Sequence, residues 1–238
     1  HVVELGDTAD VLGVPVEFIP VHHSIPDSSA VALKTDLGWV VHSGDFRATQ
    51  DPVLGHPTDM DRFAELGREG VRVLFADSTG ALTPGETAPD SSLIDSLGQA
   101  LRDAPGQVVV ATYARHVERH LVVAEACRRA GRRLTLIGRS IPRSLGLAQE
   151  RIGDVGLARG EITSVPKRER CILVSGCQAE SRGNLMRIVR GQVPQVTLDR
   201  GDIVMLSARV IPGNERAIST LKTLLIQRGV KVRSEARH

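Results

Sequence analysis

From residue 91 onward, short apolar runs alternate with longer amphipathic segments, and this alternation limits the possible folds more than any other feature of the chain. Four runs have the composition of buried strands: residues 108–112, 134–137, 171–174 and 203–207. Four segments read as helices: residues 91–103, 115–130, Ser144 onward and 214–227. Gly131, as the C-cap, and Gly229 would end the second and the last of these helices. Such alternation predicts a parallel sheet flanked by helices, with ligands at the carboxyl ends of the strands.

The first 90 residues have a different texture, in which strands predominate. Apolar runs separated by polar turns predict four strands: residues 14–21, 30–33, 39–42 and 71–76. In this part only residues 59–69 have a helical pattern. Residues 87–92 separate the two textures. We therefore expect an α/β protein with one domain at residues 1–90 and a second at residues 91–238.

Charge is divided unevenly along the 238 residues, although 30 Lys+Arg and 28 Asp+Glu leave a net charge of only +2. Residues 1–100 contain 5 basic and 16 acidic residues, a balance of −11, and residues 101–238 contain 25 and 12, a balance of +13. An acidic half suits cations, and a basic half suits polyanions such as nucleic acid. The alternative is that both are solvated surfaces of one protein.

Several classes of protein are disfavoured by the sequence. No apolar run reaches the roughly 18 residues of a transmembrane helix, and the first residues do not resemble a signal peptide. The three cysteines, Cys127, Cys171 and Cys177, have no CxxC spacing, which argues against a disulfide framework or a cysteine-rich zinc module. We expect inert thiols in a reducing compartment, and hence a cytoplasmic protein.

Three predicted strands of the first part are followed by groups that can bind metal or protons. His23 follows the first strand, Asp45 follows Gly44 in a tight turn after the third, and Asp77 follows the fourth. Imidazole and carboxylate are common ligands of zinc and manganese. Each residue alone is a weak signal, because a His pair, a Gly-Asp turn and an Asp N-cap are also common structural features.

Together with the basic half, these segments resemble a known family. VHHSIPDS, HSGDF and ADST have the order and spacing of ribonuclease J, in the β-CASP branch of the metallo-β-lactamase superfamily. VVVATYARHVERH and GRRLTLIGRS are similar to the strand–helix that opens its β-CASP domain and to the next strand and turn. ILVSGCQAES and GDIVMLSARVIPGNE resemble two later motifs. The resemblance thus covers nearly the whole chain.

The resemblance implies a partial metallo-β-lactamase αββα sandwich at residues 1–90, followed by a β-CASP domain at residues 91–238. The family's HxHxDH metal motif is absent from the sequence, and so are later segments that carry two more histidines of the site. Two ligands cannot fix two metal ions in a defined geometry. We therefore expect the chain to be a piece of a longer protein and to be inactive alone.

The resemblance also implies a two-metal hydrolase that cleaves RNA phosphodiesters as a 5′-to-3′ exonuclease and as an endonuclease, with preference for a 5′-monophosphate. His23 and Asp45 would bind zinc or manganese, with Asp45 bridging both ions, and Asp77 would be a catalytic acidic residue that orients a metal-bound histidine or assists proton transfer. The residues expected to contact RNA phosphates are Thr112, Arg115, His116, Gly138, Arg139 and Ser140. Homodimers or homotetramers are expected.

Several positions depart from the family pattern. Arg115 stands where a small polar residue is usual, and Glu118 where His is usual. Cys177 replaces Ser, Ala179 replaces Gly, and His22 replaces Asn. These changes touch the expected nucleotide-binding face, so weakened recognition of the 5′ phosphate is one hypothesis.

Three alternatives remain open. The chain could be a non-catalytic β-CASP module that binds RNA or a partner enzyme, although retention of His23, Asp45 and Asp77 favours catalysis. A metallo-β-lactamase hydrolase acting on a small molecule fits poorly with the basic half. A dinucleotide enzyme is disfavoured because no GxGxxG follows a strand. Four histidines are given no role: His22, His42, His56 and His120.

Overall fold

The computed structural model describes residues 2–85, 87–147 and 162–234, which form two compact units that divide between Pro89 and Asp90. Each unit contains one five-stranded sheet. The division lies within the segment at residues 87–92, where the sequence changes texture. None of the described helices is long and apolar enough to cross a membrane.

The sheet of the first unit is mixed. Its strands follow the chain in spatial order: β1 (Thr8–Val11), β2 (Val14–Pro20), β3 (Ser29–Thr35), β4 (Gly38–His42) and β5 (Val71–Phe75). Neighbours are antiparallel except β4 and β5, which are parallel and are connected through helix α1 (Met60–Glu69). Leu66 of α1 is fully buried and belongs to the same core cluster as Ile19 and Trp39. Burial of such apolar side chains stabilises the unit.

Strand direction places three loops together. Because β2 and β4 are each antiparallel to β3, and β5 is parallel to β4, the strands β2, β4 and β5 all point the same way. Their carboxyl ends therefore meet at one edge of the sheet. The loops that begin there contain His23, Asp45 and Asp77.

The second unit is built on a parallel sheet, as the sequence predicts. Its strands are β6 (Val108–Thr112), β7 (Arg133–Ile137), β8 (Arg170–Ser175), β9 (Ile203–Leu206) and β10 (Lys231–Ser234), in the spatial order β10-β9-β6-β8-β7. All neighbouring pairs are parallel. Every residue of the central strand β6 is buried, which is typical of a parallel strand covered on both faces.

Five helices accompany this sheet within residues 87–147 and 162–234: α2 (Leu93–Arg102), α3 (Val117–Arg129), α4 (Ser140–Leu147), α5 (Asn184–Val189) and α6 (Glu215–Gln227). Short 3-10 turns lie at Asp90–Ser92, Ile162–Ser164 and Lys167–Glu169. The chain passes from β6 to β7 and β8 on one side, then to β9 on the other. Ligands of open α/β sheets bind at such a reversal, here beyond the carboxyl end of β6.

The structure corrects several predicted boundaries. Helix α4 begins at Ser140 instead of Ser144, because Pro142 lies in its first turn, where the missing N–H has no intrahelical partner to lose. The continuation of this helix beyond Leu147 lies outside the described residues. Helix α3 ends with Ala130 as its C-cap, and Gly131 follows in the left-handed conformation, with φ of 68°.

Candidate functional site

Backbone contacts join the three loops of the first unit at their shared sheet edge. The Ser43 N–H donates to the Phe75 carbonyl at 2.9 Å, and the Asp77 N–H donates to Ser43 Oγ at 2.9 Å. The Arg47 N–H donates to the His22 carbonyl at 2.8 Å. The loop after β4 is therefore held between the other two, which brings the segments of His23, Asp45 and Asp77 to one place.

Gly44 makes the turn that exposes Asp45. Its φ is 61°, and a Cβ at this position would lie 3.1 Å from the Ser29 carbonyl oxygen. A side chain would thus be strained in backbone conformation and tight in space. Asp45 follows with its side chain exposed at the edge, where a carboxylate can reach a cation.

Asp77 is an ionised carboxylate close to His23. Hydrogen bonds from the Thr79 N–H, at 2.8 Å, and from the Thr79 hydroxyl lower the pKa of Asp77 most. The Phe46 N–H and the nearby His23 lower this pKa further. Ser24 Oγ lies 3.2 Å from Nδ1 of His23, a contact that restricts the orientation of the imidazole.

The donor set at this edge suits a divalent metal by type but not by number. An imidazole and carboxylates are ligands that zinc and manganese accept, whereas a defined site needs three or four. Among the described residues, the one group of three or more His, Cys, Asp or Glu side chains with ligand atoms within 4.8 Å of one another lies in the second unit. It consists of Asp90, His116 and Glu118.

At the carboxyl edge of the second sheet, Gly138 permits a close polar contact between loops. Its φ is 96°, and a Cβ here would lie 2.1 Å from Asn184 Nδ2, so no other residue fits without displacing Asn184. Asn184 Nδ2 donates to Ser175 Oγ at 3.0 Å, and Ser140 Oγ donates to the same oxygen at 3.3 Å. The loops after β7 and β8 are thereby joined through hydroxyl and amide groups.

Gln178 connects the remaining loops of this edge. Its Nε2 donates to Tyr113 Oη and to the Arg209 carbonyl, both at 2.8 Å. Its Oε1 accepts from the Ile211 N–H at 2.9 Å and from Asn214 Nδ2 at 3.2 Å. One buried amide thus fixes the loops after β6, β8 and β9 relative to one another.

The other predicted RNA-contacting residues differ in accessibility. Thr112 is fully buried, and its hydroxyl donates to the Tyr113 carbonyl at 3.3 Å. Arg115 and Arg139 are exposed. Arg139 lines a shallow groove together with Arg143, Pro142 and Leu136. The two guanidinium groups are therefore accessible to solvent, whereas Thr112 is enclosed by the fold.

His116 lies against a buried acidic group instead of pointing into solvent. Its Nε2 is 2.8 Å from Asp90 Oδ2, and Arg119 Nη2 donates to Asp90 Oδ1 at 2.9 Å. Burial alone would raise the pKa of Asp90, but the His116 imidazole and the Arg119 guanidinium outweigh it and hold this pKa well below its usual range. Arg119 Nη1 also donates to Ser207 Oγ at 2.6 Å.

Sequence reasoning missed several of these residues. Gln178 lies inside the SGCQAES motif, whose polar character was the available signal. Asn184 and Asp90 gave no signal, because their partners are 9 and 29 residues away in the chain. Of the histidines without a predicted role, His22 and His120 are buried, and His42 and His56 are exposed.

Comparisons with known proteins agree with the motifs. The family model described as Ribonuclease J, beta-CASP domain, matches residues 105–225. Ribonuclease J of Sinorhizobium meliloti is 37% identical over 235 residues, which are 95% of this chain and 41% of that protein. Ribonuclease J of Mycolicibacterium smegmatis is 35% identical over 92% of this chain and 40% of its own length. The chain therefore spans about two fifths of these curated relatives.

A solved structure supports the fold. A protein of unknown function from Enterococcus faecalis V583 superimposes with a TM-score of 0.67 over 99% of this chain and 55% of its own, at 14% sequence identity. At that identity the likeness concerns the fold alone. The family match, the two relatives and the parallel sheet lead to one conclusion: the chain belongs to the ribonuclease J family and contains that family's β-CASP domain.

Proposed function

We propose that the protein containing this chain is a metal-dependent ribonuclease that hydrolyses RNA phosphodiesters, as a 5′-to-3′ exonuclease, an endonuclease or both. Residues 1–90 form part of its metallo-β-lactamase domain, and residues 91–238 form its β-CASP domain. The observation that carries the proposal is the convergence of the loops after β2, β4 and β5, held by the bond from the Asp77 N–H to Ser43 Oγ.

His23 and Asp45 would each bind zinc or manganese, with Asp45 bridging two ions, and the ligands needed beyond these two would come from other parts of a longer protein. Divalent cations at such a site supply a hydroxide nucleophile near neutral pH and stabilise charge on the departing oxygen. The exposure of Asp45 and the contact of 3.2 Å between Ser24 Oγ and His23 Nδ1 support this assignment.

Asp77 positions His23 instead of serving as a strong base. A carboxylate whose pKa is lowered is a weak proton acceptor, and one oxygen of Asp77 is already occupied by the Thr79 N–H. Its negative charge favours a fixed imidazole orientation in His23. The expected result of Asp77→Asn is therefore a large loss of activity with retained RNA binding.

The β-CASP unit would bind the RNA backbone. Arg115 and Arg139 offer exposed guanidinium groups for phosphate. The other predicted contact residues form the carboxyl edge of the sheet around these arginines: Thr112, His116, Gly138 and Ser140. The one tyrosine of the chain, Tyr113, is held by Gln178, so binding through a platform of stacked bases is disfavoured. A 5′-monophosphate end is the preferred substrate in this proposal.

Assembly and location complete the proposal. A homodimer or homotetramer in the cytoplasm is expected, and Cys127, Cys171 and Cys177 are buried free thiols. Size-exclusion chromatography with light scattering of the full gene product would establish the assembly.

The test is a paired nuclease assay. The full gene product and the 238-residue chain are incubated with 5′-monophosphorylated RNA and Mn²⁺ or Zn²⁺, alongside Asp45→Ala and the matched control Asp51→Ala, another exposed aspartate of the first unit. The proposal expects cleavage by the full product and the control, and none by Asp45→Ala or the chain. A full product that binds RNA without cutting it under either metal would instead be a non-catalytic RNA-binding protein.

A further inference from the structure

We propose that Asp90, His116 and Glu118 form a divalent transition-metal site of their own within the β-CASP unit. Each offers one ligand atom, and the three atoms lie within 4.8 Å of one another. Donor atoms bound to one tetrahedral zinc ion are separated by about 3.4 Å, given bond lengths of about 2.0–2.2 Å. Side-chain rotations that move the donor atoms by roughly 1 Å would therefore close the three groups around an ion.

The backbone around the three residues is well defined. Asp90 is the first residue of the Asp90–Ser92 turn, His116 is the N-cap of α3, and Glu118 lies in the first turn of that helix. The His116 N–H donates to the Tyr113 carbonyl at 3.2 Å, and the His120 N–H donates to the His116 carbonyl at 3.2 Å. The donors thus project from the starts of two helical segments, which limits their movement.

Burial and charge favour a cation at this point. Asp90 and Glu118 are each only 3% exposed, and both present a carboxylate oxygen to the same small space. Two buried carboxylates this close repel each other and have lost their hydration. Arg119 offsets part of this charge, since its Nη2 donates to Asp90 Oδ1 at 2.9 Å and its Nε donates to Oδ2 at 3.3 Å.

The contact between His116 and Asp90 is close but poorly aligned. Nε2 of His116 is buried and lies 2.8 Å from Asp90 Oδ2, yet among the described residues it has no partner with hydrogen-bond geometry. With the ring proton on Nδ1, Nε2 would present its lone pair toward the carboxylate, and a cation between the two atoms would bind both.

The donor chemistry selects the class of metal. One imidazole nitrogen with two carboxylate oxygens suits zinc, manganese or nickel better than magnesium or calcium, which prefer oxygen alone. The three residues are distinct from His23 and Asp45, so this site is separate from the one proposed in the first unit.

The consequence would be structural. An ion at this site would tie the turn that begins at Asp90 to the start of α3, and Arg119 extends the connection to Ser207 after β9. These elements carry the loop from Tyr113 to His116 at the carboxyl edge of β6. Because only the folded unit assembles the three ligands, metal binding should stabilise it against unfolding.

The test uses a background chain in which His23→Ala and Asp45→Ala remove the candidate ligands of the first unit. Zinc is titrated into the metal-free background chain, and both bound metal and Tm are measured. We expect one equivalent of zinc to bind with a rise in Tm, and His116→Asn or Glu118→Gln to abolish both. His56→Asn, at an exposed histidine, should leave both unchanged. No binding by the background chain, or unchanged binding after either substitution, would overturn the proposal.

A second measurement covers the case in which the substituted chains do not fold, as judged by circular dichroism. The background chain, with and without zinc, is treated with diethyl pyrocarbonate, and modified histidines are mapped by mass spectrometry. Zinc should protect His116 and leave His56 reactive, whereas equal modification of His116 in both samples contradicts the site. Since the background chain lacks His23 and Asp45, neither result depends on the proposed nuclease activity.

Discussion

At the scale of single residues, Ala179 has a backbone conformation that is unfavourable for a residue with a side chain. Its φ is 59°, in the left-handed region, within the turn that follows β8. The Ala179 N–H donates to the Gly176 carbonyl at 3.2 Å, which holds the turn in place. An L side chain in this conformation costs about 1–2 kcal/mol, whereas glycine adopts it freely. The ribonuclease J motif that this segment resembles has glycine at the same position.

Ala179→Gly should therefore cost far less than an ordinary Ala→Gly substitution. We expect the free energy of unfolding to change by less than about 0.5 kcal/mol, because the relief of about 1–2 kcal/mol of strain offsets both the entropy that glycine adds to the unfolded state and the loss of a methyl group that is buried in the core. The matched control is Ala217→Gly, at an exposed position inside α6, which should lower the same free energy by about 1 kcal/mol. Urea denaturation measures both, and equal destabilisation by both substitutions would contradict the explanation.

His120 makes stability depend on pH. Its side chain is buried, Nε2 lies 3.0 Å from the Tyr113 carbonyl, and burial lowers the pKa of His120 to about 4. Below about pH 6.5, the ordinary pKa of histidine, His120 is protonated in the unfolded chain but stays neutral in the folded chain until the pH approaches 4. This contribution to stability is therefore complete above about pH 6.5 and is lost progressively as the pH falls toward 4.

We expect His120→Gln to flatten the decline of stability between about pH 6.5 and pH 4 by close to one bound proton. The free energy of unfolding is measured by urea titration across this range for both chains. The exposed His56 provides the control, since His56→Gln should leave the slope unchanged. An equal slope for the original chain and His120→Gln would contradict a neutral buried imidazole.

At the scale of elements, Arg132 connects three of them. It lies between α3 and β7, and its guanidinium donates to the carbonyls of Leu101 at 2.7 Å, Ala104 at 2.6 Å, Gly106 at 2.9 Å and Arg170 at 3.2 Å. These oxygens belong to the end of α2, the loop before β6 and the start of β8. One buried cation thus donates to four carbonyl groups of three separate segments.

Arg132→Ala should lower the free energy of unfolding by about 3 kcal/mol or more, because several buried acceptors lose charged donors at once. Arg182→Ala, the same change at an exposed position, should shift it by less than about 0.5 kcal/mol. The comparison requires that the free energies of unfolding of the two variants depend equally steeply on urea concentration. Similar small losses for both arginines would show that water replaces the guanidinium without cost.

How well each helix or strand can be predicted from the sequence depends on how deeply it is buried. Strand β6 is a continuous apolar run because both of its faces are covered, and its bounds were predicted correctly. Strands β1 and β10 lie at sheet edges and are half polar, so they carry no periodic signal. Helix α5 has six residues, too few for helical periodicity to be recognised.

The candidate sites follow a different rule. The residues His23, Asp45 and Asp77 could be named from the sequence because each follows a recognisable strand. The cluster of Asp90, His116 and Glu118 could not, because it depends on side-chain packing between segments 26 residues apart or more. Local pattern identifies the end of a strand, but it does not show which side chains meet there.

At the scale of the whole chain, charge follows the division into two units. The first unit, to Pro89, contains 5 basic and 14 acidic residues, and the second contains 25 and 14. The balances are −9 and +11, which together give the net charge of +2. Polyanions should therefore bind the β-CASP unit, and the position of its arginines determines which edge they use.

RNA binding by the second unit should weaken with salt, and Arg139 should account for part of that dependence. Each phosphate contact contributes a slope of about −0.7 to the logarithm of the binding constant against the logarithm of salt concentration for single strands. Arg139→Ala should reduce the slope by about this amount, measured by fluorescence anisotropy with single-stranded RNA between about 50 and 200 mM salt. Arg128 is the matched control, since it lies in the last turn of α3, which leads to the amino end of β7. If Arg128→Ala changes the slope as much as Arg139→Ala does, RNA is attracted by the overall charge of the unit and not by the carboxyl edge of its sheet.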